Sequence, residues 1–207
     1  MMKNIPHPAI VLASNNQGKL QEFQEIFSGI HVNLIPQSNF GAPEIEETGL
    51  TFVENAILKA RNAAAHTGLP ALGDDSGLEV DILNGAPGIF SARYAGHHGD
   101  FGANCKKLLS DLIATGPEER SARFQCVLAL LKHECDPSPL ICHGTWEGSI
   151  LLDPAGENGF GYDPLFYVHT HKCSAAELSA TIKNQISHRA QAIQLLLRNL
   201  AAKLNSC

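Results

Sequence analysis

The chain has 207 residues, of which 15 are Lys or Arg and 21 are Asp or Glu, and its formal net charge is -6. Its hydrophobic content of 44% supports a sizeable core, because a chain of this length buries roughly 70% of its unfolded surface. These values exclude a disordered chain and a disulfide-stapled small domain. They also argue against a nucleic-acid polymer as partner, since that affinity comes from Lys and Arg on phosphates.

No segment has the length of a signal sequence or a membrane helix. The N-terminal apolar run, residues 9–13, is shorter than a signal h-region, and no run approaches the ~20 apolar residues of a membrane span. The six cysteines include no C-x-x-C pair, so a zinc ribbon or a dithiol redox site is not indicated. We expect a single cytoplasmic domain, residues 1–207, with reduced thiols and no membrane partner.

The chain begins with a strand, a polar loop and a helix, predicted at residues 10–13, 14–19 and 20–27. The loop is not a P-loop, because that motif requires Gly at Ala13 and Ser or Thr at Leu20. Its amides, with three polar side chains, could still hold phosphate at a helix N-terminus. The alternative is an ordinary capped turn. The three polar side chains that could contact phosphate are Ser14, Asn16 and Lys19.

A second helix is predicted from Thr51, which forms a capping box with Glu54, to a stop at Gly68. Lys59 lies on a mostly apolar face of this helix. Its long side chain can reach solvent from such a face, so a purely structural explanation is available.

Two adjacent carboxylates, Asp74 and Asp75, follow an apolar run, and we predict a loop at residues 73–77 before a strand at 78–82. Adjacent side chains of an extended chain point to opposite sides, so one carboxylate would face a metal or a water and the other would brace the loop. The alternative is a solvated acidic turn. Three upstream carboxylates could complete a hard-oxygen Mg²⁺ site: Glu44, Glu46 and Glu47.

The later part of the chain alternates between helical and strand patterns. The predicted elements are a helix at 100–115, an antiparallel hairpin of strands 124–131 and 140–146, a capping box at 174–177 and a helix from about 187. The glycine-rich segment 159–164 has Pro164 where a dinucleotide fingerprint needs Gly, so that fold is not supported. We expect a mixed α/β unit.

Two cations, His188 and Arg189, follow Ser187 at the start of the last predicted helix. The helix dipole disfavours cations there, and an anionic or carbonyl ligand would remove the penalty. The segment with His169, His171 and Cys173 has no further metal-ligating residues at the spacing of a zinc site, and no role is assigned to it.

Seven motifs occur in a fixed order along the chain. They are Ser14-Asn15-Asn16-Gln17-Gly18-Lys19, Glu46-Glu47-Thr48-Gly49-Leu50-Thr51-Phe52, Glu54-Asn55-Ala56-x-x-Lys59-Ala60, Asp74-Asp75-Ser76-Gly77-Leu78, Ala86-Pro87-Gly88-Ile89-Phe90-Ser91-Ala92-Arg93-Tyr94, Gly159-Phe160-Gly161-Tyr162-Asp163-Pro164-Leu165-Phe166 and Ser187-His188-Arg189. With these motifs the chain strongly resembles the inosine triphosphate pyrophosphatase family, the non-canonical purine nucleotide pyrophosphatases. The similarity runs from about Ile10 to Leu200.

The resemblance implies a Mg²⁺-dependent hydrolase that cleaves ITP, dITP and XTP to the monophosphate and pyrophosphate. It also implies an elongated mixed sheet flanked by helices, in two lobes around a central active-site groove, and a homodimer.

The resemblance further assigns roles residue by residue. Phosphate contacts are expected from Ser14, Asn16, Lys19 and Lys59. Glu47 and Asp75 would ligate the metal, or Asp75 would instead activate the attacking water. Asp74 would support the site, and Ser76 would contact the substrate. The base pocket would consist of Phe160, Tyr162, Asp163, Lys183, His188 and Arg189.

Two other functions are compatible with a nucleotide site. A pyrophosphatase for modified pyrimidine nucleotides is disfavoured by the base pocket. A non-catalytic nucleotide-binding protein is disfavoured by the intact Glu47, Lys59 and Asp75.

Overall fold

The computed structural model describes residues 9–28, 30 and 32–205. Its helices are α1 (Gln17–Phe27), α2 (Phe52–Thr67), α3 (Phe101–Asp111), α4 (Ala180–Ile186) and α5 (His188–Asn205). Its strands are β1 (Ala9–Ala13), β2 (Asn33–Pro36), β3 (Ala71–Val80), β4 (Ser121–Leu131), β5 (Leu140–Ile150), β6 (Phe166–Val168) and β7 (Cys173–Ser174). Within these ranges no helix has the length and apolar character needed to cross a membrane.

The strands form one seven-stranded sheet in the order β2-β1-β3-β4-β5-β6-β7. β1 is parallel to both β2 and β3, whereas β6 is antiparallel to β5 and β7. β4 and β5 are joined by a short connection, and the Ile150 amide donates to the Arg120 carbonyl at 2.9 Å, as in the predicted antiparallel hairpin. The prediction of a mixed sheet flanked by helices is therefore confirmed.

The chain divides into two compact units. The first consists of the described residues up to 75, residues 127–142 and those from 195 onward. Its core is formed by small α2 side chains, Ala56, Ala60 and Ala63, packed with β-strand residues that include Val11 and Leu131.

The second unit consists of residues 76–126 and 143–194. Its core contains the aromatic residues Phe124, Trp146 and Phe166 together with Leu108 of α3. The prediction of a single domain, and that of two lobes around a groove, stay predictions.

The predicted capping box and glycine stop at the two ends of α2 are confirmed. The Glu54 amide donates to the Thr51 hydroxyl at 3.3 Å, and the Glu54 carboxylate accepts from the Leu50 amide at 2.9 Å. At the other end Gly68 adopts a left-handed conformation, φ 67°, and its amide donates to the Ala64 carbonyl. This is the C-cap that glycine favours.

The predicted loop at residues 73–77 is wrong, because β3 is one continuous strand through this region. Glycine and aspartate normally favour turns. Here the carboxylates of Asp74 and Asp75 are buried and paired with lysines, which removes the need for solvent. Tertiary contacts thus override the local turn propensity.

Other boundaries also differ from expectation. β3 ends at Val80, α3 ends at Asp111 rather than 115, and the short elements β2, β6, β7 and α4 were not predicted. Elements this short provide too few residues for a periodic pattern to develop.

Candidate functional site

The polar loop after β1 is a capped helix start. The Asn16 side chain accepts a hydrogen bond from the Lys19 amide at 3.0 Å, and the Ser14 hydroxyl accepts one from the Asn16 amide at 3.2 Å. The capped-turn alternative therefore describes the local structure. The cap also directs Lys19, in the first turn of α1, toward β3.

Lys19 and Asp74 form a buried ion pair. The Lys19 ammonium donates to the Asp74 carboxylate and, at 3.3 Å, to the carbonyl oxygen of the same residue. The Asp74 side chain has no exposed surface. Asp74 therefore holds Lys19 in place, in keeping with the supporting role expected for it.

Lys59 lies between two carboxylates of the first unit. Its Nζ is 2.9 Å from Oε1 of Glu47 and 2.7 Å from Oδ1 of Asp75. Burial lowers the pKa of Lys59, but attraction to the two carboxylates outweighs it and the pKa is raised. Lys59 is thus a firmly charged ammonium, not the solvent-reaching side chain of the structural explanation.

The pKa of Asp75 is raised above its ordinary value. Burial is the larger effect, and the positive charges of Lys59 and Lys19 offset it only in part, while Glu47 adds repulsion. A carboxylate with a raised pKa is a stronger proton acceptor, as is typical of functional sites.

Asn55 belongs to the third motif, but no role was predicted for it from the sequence. Its side chain is fully buried, donates to Oδ2 of Asp75 at 3.3 Å and accepts from the Gly49 amide at 2.8 Å. It precedes Lys59 by four residues, so both lie on one face of α2. A polar residue in that alanine-rich face was the signal that could have identified it.

A second cluster lies in the second unit around Asp163. Its Oδ2 accepts from Nζ of Lys183 at 2.5 Å and from the Phe160 amide at 2.9 Å. The Lys183 Nζ lies 5.0 Å from the centroid of the Phe160 ring, a cation–π distance. Both charged side chains are buried, so this pair defines the geometry of the glycine-rich loop.

Arg189 and His188 lie at the start of α5, and both are buried. A guanidinium nitrogen of Arg189 donates to the Ser76 hydroxyl at 2.9 Å. The His188 ring stacks on Phe124, with centroids 4.7 Å apart and planes inclined by 14°. Both side chains at this helix start are therefore held by specific contacts.

Tyr162 anchors the loop through its hydroxyl. The group donates to the Ser91 carbonyl at 2.9 Å, and burial raises the pKa of the phenol. Its role in the structure is thus to tie the loop to the 3-10 helix Gly88–Arg93.

Each residue to which the resemblance assigns a role therefore lies in one of the two units. Of the three upstream carboxylates, Glu47 contacts Lys59, whereas Glu44 and Glu46 are exposed. The first unit contains the expected phosphate and metal residues, Ser14, Asn16, Lys19, Glu47, Lys59, Asp74 and Asp75. The second unit contains the expected substrate and base residues, Ser76, Phe160, Tyr162, Asp163, Lys183, His188 and Arg189.

Glu47 and Asp75 are the described carboxylates best placed to share a cation, since both contact the same lysine nitrogen. Within the described ranges no group of three or more His, Cys, Asp or Glu side chains is arranged to hold a metal. Two carboxylates are a donor set that suits Mg²⁺ bound jointly with substrate phosphates, since Mg²⁺ commonly has few protein ligands.

Comparison with known proteins extends over nearly the whole chain. The chain is 57% identical over 187 residues to the dITP/XTP pyrophosphatase of Coxiella burnetii, covering 90% of this chain and 94% of that protein. It is 55% identical over 189 residues to the dITP/XTP pyrophosphatase of Vibrio cholerae, covering 91% and 94%. The solved structure of a HAM1 protein from Coxiella burnetii matches with a TM-score of 0.87 and 55% identity, covering 94% and 99%. A family model described as the Ham1 family matches residues 10–199, and the chain belongs to this family.

Proposed function

We propose that the protein hydrolyses deaminated purine nucleoside triphosphates, XTP, ITP and dITP, to the monophosphate and pyrophosphate. Its relatives named dITP/XTP pyrophosphatase support the reaction and substrate class. The observation that carries the proposal is the Lys59 ammonium held between Glu47 and Asp75, a combination of cation and carboxylates suited to polyphosphate hydrolysis.

The proposed reaction is attack of water on the α-phosphorus. The new bond joins the water oxygen to phosphorus, and the bond from that phosphorus to the α,β-bridging oxygen breaks, which releases pyrophosphate. Asp75 accepts the water proton, a role open to a buried carboxylate held beside Lys59. Lys19 and Lys59 stabilise the negative charge of the polyphosphate, the electrostatic contribution that dominates such reactions.

The charge of the first cluster favours a metal-bound substrate. Two lysines, Lys19 and Lys59, meet three carboxylates there, Glu47, Asp74 and Asp75. A polyphosphate without a metal ion would therefore face an excess of negative charge. Mg²⁺ bound by Glu47 and Asp75 would neutralise phosphate charge and align the chain. Lys19 and Lys59 would contact phosphate oxygens in addition to their carboxylate partners.

The second cluster provides hydrogen-bond donors for the base. Hypoxanthine and xanthine carry a 6-oxo acceptor where adenine carries a 6-amino donor. Donors of Lys183, His188 or Arg189 that face the base would meet the 6-oxo acceptor of hypoxanthine or xanthine, but would meet a second donor on adenine. Such mismatches are costly, and sites that depend on them reject the wrong substrate strongly.

The proposal is tested by incubating the protein with XTP, ITP, dITP, ATP, GTP and methylated pyrimidine triphosphates in Mg²⁺ and measuring pyrophosphate. We expect pyrophosphate as the first product and preference for the deaminated purines. Equal rates on ATP, orthophosphate as first product, or preference for methylated pyrimidines would contradict it. Tight nucleotide binding without turnover would indicate a binding protein instead.

The metal is tested separately by Mg²⁺ titration of ITP hydrolysis with and without chelator. Glu47→Gln should increase the Mg²⁺ concentration required for half-maximal rate, whereas the exposed Glu119→Gln should leave it unchanged. An unaltered Mg²⁺ requirement in Glu47→Gln would remove Glu47 from the metal site. The homodimer and the cytoplasmic location stay predictions, and light scattering in solution tests the first.

A further inference from the structure

Phe101, the first residue of α3, contacts Phe160, the phenylalanine of the predicted base pocket. The ring centroids of Phe101 and Phe160 are 6.1 Å apart and the planes are inclined by 54°. This tilted arrangement is one of the favourable geometries for an aromatic pair. Both rings are half-buried, so neither is enclosed in the core.

The loop that carries Phe160 depends on contacts of this kind. Gly159 and Gly161, on either side of Phe160, have φ values of 75° and 65°, which favour glycine. A Cβ at residue 159 would lie 2.1 Å from the Asp163 carboxylate. The Asp163–Lys183 pair and Tyr162 fix the backbone of this loop, and contacts with neighbouring elements restrict the orientation of the Phe160 ring.

Two residues of α3 contact two successive residues of this loop, Phe160 and Gly161. Cys105 lies four residues after Phe101, on the same face of the helix, and its thiol donates to the Gly161 carbonyl at 3.4 Å. Phe101 and Cys105 together therefore meet Phe160 and its neighbour from the same side.

α3 is itself anchored where these contacts are made. The Asp100 carboxylate caps the helix by accepting from the Ala103 amide at 2.9 Å. Asn104 is fully buried, accepts from the Ala95 amide at 2.7 Å and donates to the Ala92 carbonyl at 3.2 Å. The start of α3 is thus a rigid support for Phe101.

The orientation of Phe160 also determines its relation to two cations. Nζ of Lys183 lies 5.0 Å from the ring centroid, and Cζ of Arg189 lies 6.0 Å from it. A rotated ring would change both distances and remove the flat face that a purine could stack on. One aromatic contact from α3 therefore affects stacking and the placement of donors together.

We propose that Phe101 is a positioning residue for base recognition, which holds the Phe160 ring in the orientation that receives the purine. The inference rests on the proposed function and adds to it that the Phe160 ring stacks on the base. Phe101 acts on binding of the base and leaves phosphate binding and the chemical step unchanged.

The test compares Phe101→Ala, Phe101→Tyr and the wild-type protein. Losing an aromatic pair should raise the dissociation constant of IMP, measured by calorimetry, and the KM for ITP by about two- to twelvefold. The kcat and the inhibition constant of inorganic pyrophosphate, which has no base, should not change. Phe101→Tyr should restore IMP affinity, and Ile113→Ala, a matched truncation at an exposed residue just beyond α3, should be silent.

A double-mutant cycle then tests whether Phe101 acts through Phe160. In a Phe160→Ala background, Phe101→Ala should change the KM for ITP by less than about twofold. Additive effects, an unchanged KM in the single variant, or an equal loss of pyrophosphate binding would each overturn the inference. A wild-type protein that neither binds IMP nor hydrolyses ITP would overturn the proposed function itself, and this inference with it.

Discussion

Gly73 of β3 packs directly against the Ala56 carbonyl of α2, so closely that a Cβ at residue 73 would lie 2.0 Å from that oxygen. This approach brings the helix face with Asn55 and Lys59 to the strand with Asp75. Only glycine permits it, because the obstructing atom belongs to the backbone and cannot rotate away.

Gly73→Ala should therefore destabilise the fold by about 1–3 kcal/mol, the usual cost of overpacking. It should also reduce ITP turnover, since displacement of Lys59 by ~1 Å can cost about 100-fold. Urea unfolding and pyrophosphate release measure the two effects. Gly102→Ala is the control, since a Cβ there meets only an ordinary 3.7 Å contact and should stabilise α3 by about 0.5–1 kcal/mol. Equal stability of the two variants would contradict the argument.

Asp75→Asn should abolish turnover and retain the fold. The substitution is nearly isosteric and keeps one acceptor oxygen, which suffices for the hydrogen bond from either Lys59 or Asn55, but it removes the proton acceptor. We expect a loss of kcat of at least about 100-fold, the scale of general-base catalysis, with an unchanged circular dichroism spectrum. Asp111→Asn, at an exposed surface pair, should retain full activity. Near-normal turnover of Asp75→Asn would exclude Asp75 as the base.

Arg189→Ala should reduce discrimination between ITP and ATP. The buried guanidinium would no longer donate to Ser76 or face the Phe160 ring. We expect kcat/KM for ITP to fall at least about tenfold, the equivalent of 1.4 kcal/mol, and kcat/KM for ATP to fall by less. The exposed Arg198→Ala on the same helix is the matched control. A change in thermal stability alone would assign Arg189 to the structure.

Asp136 should contribute a pH-dependent part of the stability. Burial raises its pKa, but hydrogen bonds from the Lys132 and Ser138 amides and from Lys203 lower it to about 2. A carboxyl whose folded pKa lies below its unfolded value of 3.8 stabilises the fold above that value. This contribution is lost as the pH falls from 3.8 to about 2.

Urea midpoints of the wild-type protein and Asp136→Asn, measured from pH 7 down to pH 2, check this expectation. The difference between the two proteins should be constant at neutral pH and should shrink below the unfolded pKa. The exposed Asp153→Asn should show a small difference throughout. A pH-independent difference for Asp136→Asn would mean that packing, not charge, is responsible.

Much of the candidate site was predictable because its motifs are local. Asn16 caps α1 three residues before Lys19, and the Thr51 cap of α2 likewise acts over three residues. Hydrogen bonds of this range depend on residue type and spacing, which can be recognised without a fold. Asn55 was missed because its partner, Asp75, lies 20 residues away.

The sequence by itself determined the composition of the site: which carboxylates, cations and glycines occur, and in which motifs. Tertiary structure decided their pairing. It placed Asp74 and Asp75 in a strand rather than a turn. It held Lys59 between two carboxylates that lie 12 and 16 residues away in the sequence. It also brought Arg189 into a hydrogen bond with Ser76, 113 residues away. The physical reason is that burial removes solvent from charged groups, so each must find its partner in space, wherever the chain has brought one.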